Sequence, residues 1–416
     1  MKKLVSIIVA LILLFAVVGC QTQNSIAVTD STNETINQLT MKEKLEDFES
    51  LYKVLEENYP FFEVNKRMNG IDWLANKDKY INRINLAMTE QLYKEALDNI
   101  LRDLNNGHTN IIDKDFYNYA KASYEGNKGD SKPWLEQINK PKSVLRYSDK
   151  NYSGKVIETS ADQAAGYIIP NNVYSEIMVD KKVAYLGIAS LNPFNIEGDM
   201  KVIRPFLDSI KTYNALIIDI RQNGGGSSSY WSDNLVPMLI DKPISWKTFN
   251  AYRGGAFAIP FIHARYRDSK QRPIKEIVKE NLLNTPPELM DDFHYYKKSE
   301  EVIQPKDSTG FKGKIYLLVD QNVYSSSEMF ASFAKSTGFA TLVGETTGGD
   351  GIGQDPLFYS LPNSGYIMRF PCILGLTADG SCNEEHKTVP NIKVAAEKTK
   401  DVKNDEAIQY VINLYK

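Results

Sequence analysis

A chain of 416 residues is long enough for two domains, or for one large domain carrying a smaller helical one, with a sizeable core. Its 42% hydrophobic and 24% charged content is that of a folded globular protein and excludes a disordered chain or a multi-span membrane protein. The formal net charge of -3 says little about partners, but no basic run interleaved with aromatics is present to neutralise a phosphate backbone, which disfavours nucleic acid.

Taken in chain order, the first segment is a leader. Lys2 and Lys3 precede an apolar stretch from Leu4 to Val18, and Gly19 precedes Cys20. The pattern resembles a lipoprotein signal over residues 1–19. That implies cleavage after Gly19, lipidation of Cys20, and a mature protein held on a membrane outside the cytoplasm. An uncleaved membrane anchor is the alternative, and the apolar stretch is short for a spanning helix. Residues 20–39, rich in Thr, Ser, Asn and Gln, read as a flexible tether.

The fold is expected to begin at Thr40. Thr40 and Glu43 fit a capping box ahead of Leu45, Phe48, Leu51, Tyr52 and Leu55 at helical spacing, and Pro60 stops the pattern. A second helix carries Leu92, Tyr93, Ala96, Leu97, Ile100, Leu101 and Leu104 on one stripe, with Gly107 placed to end it. His108 therefore stands just past a helix terminus, and residues 109–112 read as a strand. These elements predict an N-terminal helical domain over 40–115. Residues 116–180 are polar and Tyr-rich and are expected to be an irregular connecting region with short strands.

From 181 to 416 the pattern alternates. Val183 to Ile188, Ala215 to Ile220, Ile315 to Val319 and Ala340 to Val343 read as strands, and Glu197 to Thr212, Ser228 to Leu239 and Ser325 to Ser336 as helices, which is an α/β core. Asp241 to Thr309 interrupts it with prolines, aromatics and mixed charge and is expected to be an excursion or lid over a site.

Three places can carry chemistry. Asp219-Ile-Arg-Gln-Asn-Gly-Gly-Gly226 runs a buried strand into backbone without side chains, which suits N–H donation to an oxyanion, a phosphate cradle or simply a tight turn. No Gly-Lys-Ser or Gly-Lys-Thr follows, so a nucleotide loop is disfavoured. Tyr324-Ser-Ser-Ser-Glu328 opens a helix, where a serine either serves as an N-cap or meets a dipole favourable to negative charge. His108, in Asn105-Asn-Gly-His-Thr109, is the third; a lone histidine is ordinarily structural or exposed. Cys372 and Cys382 are candidates for a disulfide in an oxidising compartment. With His263, His294 and His386 scattered, no ligand cluster implies a metal, and no cofactor is implied.

Together with Val343-Gly-Glu-Thr-Thr-Gly-Gly349, these elements, in this order, resemble the C-terminal processing, or tail-specific, serine peptidases, and within them the tricorn-like and retinoid-binding-repeat branch. The resemblance implies an α/β fold with a crotonase-like ββα core behind a small N-terminal helical domain. It places the nucleophile at Ser325 and its base at His108. Where the lysine-using members of the family carry their base, this chain has Asp350, so a Ser-Lys dyad is excluded unless another lysine folds in. The acid that orients the histidine maps onto Glu384, with Glu385 as the fallback, in an imperfect match that lacks the family's glycines and final aspartate. Gly107 stands where tricorn has a serine. The oxyanion hole maps onto the N–H groups of Gly225 or Gly226 with that of Ser326 or of Ser325 itself, and the Ser326 side chain is able to face substrate. His263, His294 and His386 have no such context and read as surface or lid residues, with His386 a minor rival beside Glu384.

The expected function is an exported, lipid-anchored serine endopeptidase-like hydrolase acting through an acyl-enzyme on a peptide or protein substrate. The alternative is a non-catalytic surface protein of the same fold that binds a peptide or an apolar ligand. An esterase or amidase would use the same residues.

Overall fold

The first helix starts where its capping chemistry places it. In the computed structural model, which describes residues 38–126, 130–148, 166–267, 271–399 and 404–416, α1 (Met41–Asn58) opens on Thr40. The Glu43 N–H donates to the Thr40 hydroxyl while the Thr40 N–H donates to the Glu43 carboxylate. The leader, Cys20 and nearly all of the tether lie outside the described residues. Three further helices follow, α2 (Phe62–Asn69), α3 (Lys77–Asn85) and α4 (Glu90–Arg102). Tyr93, Ala96, Leu97, Ile100 and Leu101 of the α4 stripe are buried as their spacing predicts, but Leu92 is exposed and the helix ends at Arg102, ahead of Gly107.

Between residues 113 and 148 the structure overturns the expected irregular chain. It has α5 (Lys114–Glu125), α6 (Lys132–Ile138) and α7 (Pro141–Tyr147). Their signals are caps and aromatic anchors, with Tyr117 and Ala120 the buried positions of α5. The Asp113 carboxylate accepts from the Phe116 N–H, and Pro133 and Pro141 sit in first turns, where no backbone donor is needed. Trp134 and Tyr147, both buried, donate to the carbonyls of Pro356 and Ile112. No helix among the described residues is long and apolar enough to cross a membrane.

The strands are β1 (Asn110–Ile111), β2 (Val173–Val179), β3 (Val183–Ile188), β4 (Ala215–Asp219), β5 (Ile244–Tyr252), β6 (Arg272–Pro273), β7 (Tyr295–Ile303), β8 (Lys314–Val319), β9 (Thr341–Gly344), β10 (Leu357–Ser360), β11 (Ile367–Phe370), β12 (Leu374–Leu376) and β13 (Ile392–Lys393). The largest sheet has the order β13-β9-β8-β4-β3-β2, parallel from β13 to β3 with β2 antiparallel at the edge. Its central strands are near-continuous apolar runs because both faces are covered. Helices Ile196–Ser209 and Ser326–Thr337 pack on one face and helix Glu406–Asn413 on the other. The result is the expected mixed α/β fold behind a helical N-terminal region.

The segment 241–309 is not a loose lid. β5, β7 and β6 form an antiparallel sheet with β12, and Phe249, Tyr252, Phe261 and Tyr296 share one core with Leu51, Leu97 and Trp134 of the N-terminal helices. A third sheet, β1-β11-β10, carries the turn containing His108. Cys372 and Cys382 are buried free thiols, not a disulfide.

One buried ion network fixes the start of the glycine loop. The Arg221 guanidinium donates to Asp219 at 3.0 and 2.7 Å and to Asp405, the N-cap of helix Glu406–Asn413, at 3.0 and 2.8 Å, with no exposed side-chain surface on Arg221 or Asp219. Replacing Arg221 by Met leaves Asp405 without this cation and Asp219 with only Lys398, 3.9 Å away. The expected loss in urea unfolding is ~3–5 kcal/mol; a loss below ~1 kcal/mol would show that the network does not hold this corner of the fold.

Candidate active site

The C-terminal ends of three adjacent parallel strands, β4, β8 and β9, converge on one place, the edge of an α/β sheet where ligands characteristically bind. From β8 the chain turns through Asp320 and enters helix Ser326–Thr337 at Ser325, whose φ of 58° and ψ of -128° are foreign to a residue with a β-carbon. Such a conformation costs of order 1–3 kcal/mol and has to be held by its surroundings. Here the Ser325 N–H donates to the Gly349 carbonyl, the Tyr324 N–H to the Asn223 carbonyl, and Asp320 accepts from the N–H groups of Gln222 and Asn322. Ser325 makes no N-cap hydrogen bond with its side chain. The ordinary structural use of a serine at a helix start is therefore not its use here.

The β4 end supplies the glycines. A β-carbon on Gly225 would lie 2.8 Å from Ser325 Cβ and 2.9 Å from the Tyr324 carbonyl oxygen, and its φ of 105° also requires glycine. The Gly225 N–H does not point at an open site, because it donates to Asn223 Oδ1 at 3.0 Å. Asn223 is itself fixed by the Ile188 carbonyl and the Ser327 hydroxyl. Gly226, by contrast, is exposed.

His108 enters from the turn before β1. Its buried ring places Nδ1 2.7 Å from Asp350 Oδ2. Asp350 follows β9, next to the Gly349 carbonyl that holds Ser325, so ring and serine are tied to one loop. The His108 ring also packs on the Tyr324 ring at 4.7 Å between centroids. Asp350 Oδ2 accepts from Asn106 Nδ2 at 2.9 Å and from the Tyr324 hydroxyl at 3.2 Å. Burial pushes the Asp350 carboxyl up, but the charge and hydrogen bond of His108 and the donors on Asn106 and Tyr324 outweigh it and hold the group below the usual carboxylate range. Burial pushes His108 below its ordinary value, and the attraction of Asp350 does not fully offset this. An ionised carboxylate can only accept, so Nδ1 carries the proton and Nε2 keeps a free lone pair.

Glu384 stands one step behind. Its Oε1 accepts from Asn106 at 3.2 Å, and no hydrogen bond to His108 is formed among the described residues. Burial and the neighbouring charge of Asp350 raise its carboxyl well above the usual range, so of the two acids Glu384 is the one that holds a proton to the higher pH. The acid against the histidine is thus Asp350 rather than Glu384. Glu385 is paired with Arg67, at 3.0 and 2.7 Å, and is not part of this cluster. The Ser326 hydroxyl, buried, accepts from the Trp231 indole at 3.3 Å, which directs it into the core and away from any substrate. His263, His294 and His386 are exposed elsewhere. Among the described residues no group of three or more His, Cys, Asp or Glu side chains is arranged to hold a metal.

Asn106 and Tyr324 are the residues that sequence reasoning missed. Asn106 also accepts from the His108 N–H and the Thr109 hydroxyl through Oδ1, so one amide braces the histidine turn and both acids. Its position two residues before His108 and that of Tyr324 immediately before Ser325 were the available signals.

The model of peptidase family S41 matches residues 182–394. Among solved structures, the chain is similar to a protein from Parabacteroides merdae described as a candidate peptidase, with 20% identity over 89% of this chain and 96% of that one and a TM-score of 0.54. It is also similar to mature CPAF complexed with lactacystin, at 14% identity, 90% and 97% coverage and a TM-score of 0.55. At these identities the likeness is one of fold.

The close approach of the glycine loop to Ser325 has a direct test. Gly225→Ala is expected to lose ~1–3 kcal/mol in urea unfolding, whereas Gly224→Ala, where an added β-carbon meets nothing within 4 Å, stays within ~0.5 kcal/mol. Equal effects of the two would remove the contact as the reason for glycine at 225.

Proposed function

The chain belongs to peptidase family S41, a tail-specific protease family, and on that premise we propose that it hydrolyses peptide bonds through an acyl-enzyme on Ser325, with His108 as base and Asp350, in place of Glu384, as the group that orients it. The observation that carries the reading is the 2.7 Å contact of His108 Nδ1 with an ionised Asp350, on the same loop whose Gly349 carbonyl holds Ser325. That contact fixes the tautomer in which Nε2 is ready to accept a proton. Ser325 Oγ attacks the carbonyl carbon as Nε2 takes its proton. Asp350 stabilises the imidazolium without taking the proton itself, and His108 returns it to the leaving amine. Water then repeats the sequence on the acyl-enzyme and releases the acid product.

For the tetrahedral oxyanion, the N–H groups of Gly226 and Ser326 are the proposed donors, because those of Gly225 and Ser325 are already engaged. The Ser326 N–H also opens a helix, where the dipole favours negative charge. Each such donor is worth about 2.7–4 kcal/mol in the transition state. A protein that only bound peptide would have no use for a strained serine whose hydroxyl is kept out of capping. We also place the protein outside the cytoplasm on a lipid attached to Cys20, a reading supported by Lys2, Lys3 and the apolar run that ends at Gly19.

A fluorophosphonate probe tests the nucleophile. The full-length chain is expected to label on Ser325, Ser325→Ala to stay unlabelled, and His108→Ala to label about 100-fold or more slowly. Folded wild-type protein that resists the probe, or label retained in Ser325→Ala, would overturn the reading. The pH dependence follows from His108. Protonation of Nε2 removes the base, and burial lowers the pKa, so the labelling rate should fall on acidification with a midpoint below the ordinary histidine value of about 6.5. A midpoint well above that value would contradict the assignment.

A further inference from the structure

Three large apolar side chains face water together at one end of the N-terminal helices. Leu86 is 77% exposed in the link between α3 and α4, Met88 is 69% exposed, and Leu92, in the first turn of α4, is 45% exposed. A single apolar side chain on a surface needs no explanation, but neighbours held outward together mark a contact surface.

The backbone holds them there. Ala87, between the first two, is buried, and the buried Lys44 ammonium donates to the Ala87 carbonyl at 2.7 Å and to that of Met88 at 3.4 Å. The Ala87 N–H donates to the Ile84 carbonyl and the Met88 N–H to that of Leu86, which closes the turn. The Thr89 hydroxyl then caps α4 by accepting from the Leu92 N–H. The turn is thus pinned in a form that keeps Leu86 and Met88 from folding back onto the core.

Location and charge together indicate what covers this patch. Lys44 belongs to α1, the element that follows directly on the segment from Cys20, so the patch lies within one side chain of the place where that segment enters the fold. The lipid proposed on Cys20 is joined to α1 by at most about 65 Å of chain, which raises the effective concentration of bilayer at this end of the molecule. On α4, Glu90 is paired with Arg146 at 2.8 Å and Asp98 with Lys94 at 2.7 Å, so these acids meet lipid already neutralised. An apolar patch beside paired charges suits the boundary between headgroups and acyl chains and does not call for anionic lipid.

We propose that Leu86, Met88 and Leu92 form a membrane-contact surface that seats the folded domain on a lipid bilayer, as a second, non-covalent contact beside the lipid anchor. The His108 turn follows the other end of α4, a helix of 13 residues and so about 20 Å long, which keeps this contact apart from the candidate active site. The inference rests on the lipid-anchored reading.

The test places a reporter in the patch. The four native tryptophans are all buried, so in full-length Met88→Trp the added indole is the exposed one. The chain is reconstituted into phosphatidylcholine vesicles whose acyl chains carry bromine near the headgroup. Compared with bromine-free vesicles, Met88→Trp is expected to lose roughly half or more of its added emission. Val202→Trp, at a 54% exposed position on helix Ile196–Ser209, is expected to keep its own. Adding Leu86→Ser and Leu92→Ser to Met88→Trp is expected to weaken docking by roughly tenfold or more and remove most of the quenching. All four positions are exposed, so the substitutions leave the fold in place. Quenching of Met88→Trp no greater than that of Val202→Trp, or quenching that survives the two serines, overturns the proposal. Flotation of the chain with the vesicles reads the anchor separately. A chain that floats with Met88→Trp unquenched overturns this proposal alone, and a chain that does not float overturns the anchored reading and this proposal with it.

Discussion

The hydrogen bond from His108 Nδ1 to Asp350 joins two parts of the chain that neither could hold alone. His108 comes from the turn after α4, and Asp350 from the loop after β9. The N-terminal helices are therefore a wall of the site and not an appendage to it. Their position relative to the parallel sheet is set by the core they share with β5, β7 and the β10–β12 strands, so any loosening of that core moves the histidine away from Asp350. The segment 241–309, by completing this core, contributes to catalysis in the proposed mechanism through rigidity rather than by opening and closing.

The same contact organises the charges. Two carboxyls, on Asp350 and Glu384, share the Asn106 amide, and both cannot ionise in a buried site. Three donors hold the Asp350 carboxyl below the usual range, while burial and the Asp350 charge raise that of Glu384. Arg369 adds a positive field that helps keep His108 neutral. The base proposed for Ser325 is thus set by its surroundings as a whole, with burial as the largest influence.

How much of this was legible in the sequence divides along the range of the interactions. α1 was readable because the Thr40–Glu43 box is local. β3, β4 and β8 were readable because strands covered on both faces must be apolar throughout. Ser325 and His108 could be singled out because the short motifs around them survive as contiguous patterns. Asp350 could not be placed, although it was noticed, because 242 positions separate it from His108 and only the turn after β9 brings them together. The motif at Glu384 pointed to the right neighbourhood, where the carboxylate that touches His108 is that of Asp350. α6 and α7 are short and open on prolines, and the Phe116, Tyr117, Ala120 and Tyr124 spacing of α5 is built on tyrosines and one small residue in a polar segment, so none of the three stood out as a helix. The proline- and aromatic-rich 241–309 segment read as a lid because its pairing partner, β12, lies far along the chain. The availability of the Gly226 N–H, and not that of Gly225, depends on the Asn223 side chain, which no spacing rule reports.

The central claim is that Asp350, not Glu384, orients the base. The measurement that tests it most directly is the fluorophosphonate labelling rate constant of Asp350→Asn set against that of Glu384→Gln, in full-length protein of unchanged fold. The account predicts a loss of about a thousandfold or more for Asp350→Asn, which stabilises the wrong tautomer of His108, and about tenfold or less for Glu384→Gln, which replaces a group that makes no hydrogen bond to His108. The reverse order, with Glu384→Gln severe and Asp350→Asn mild, would contradict it.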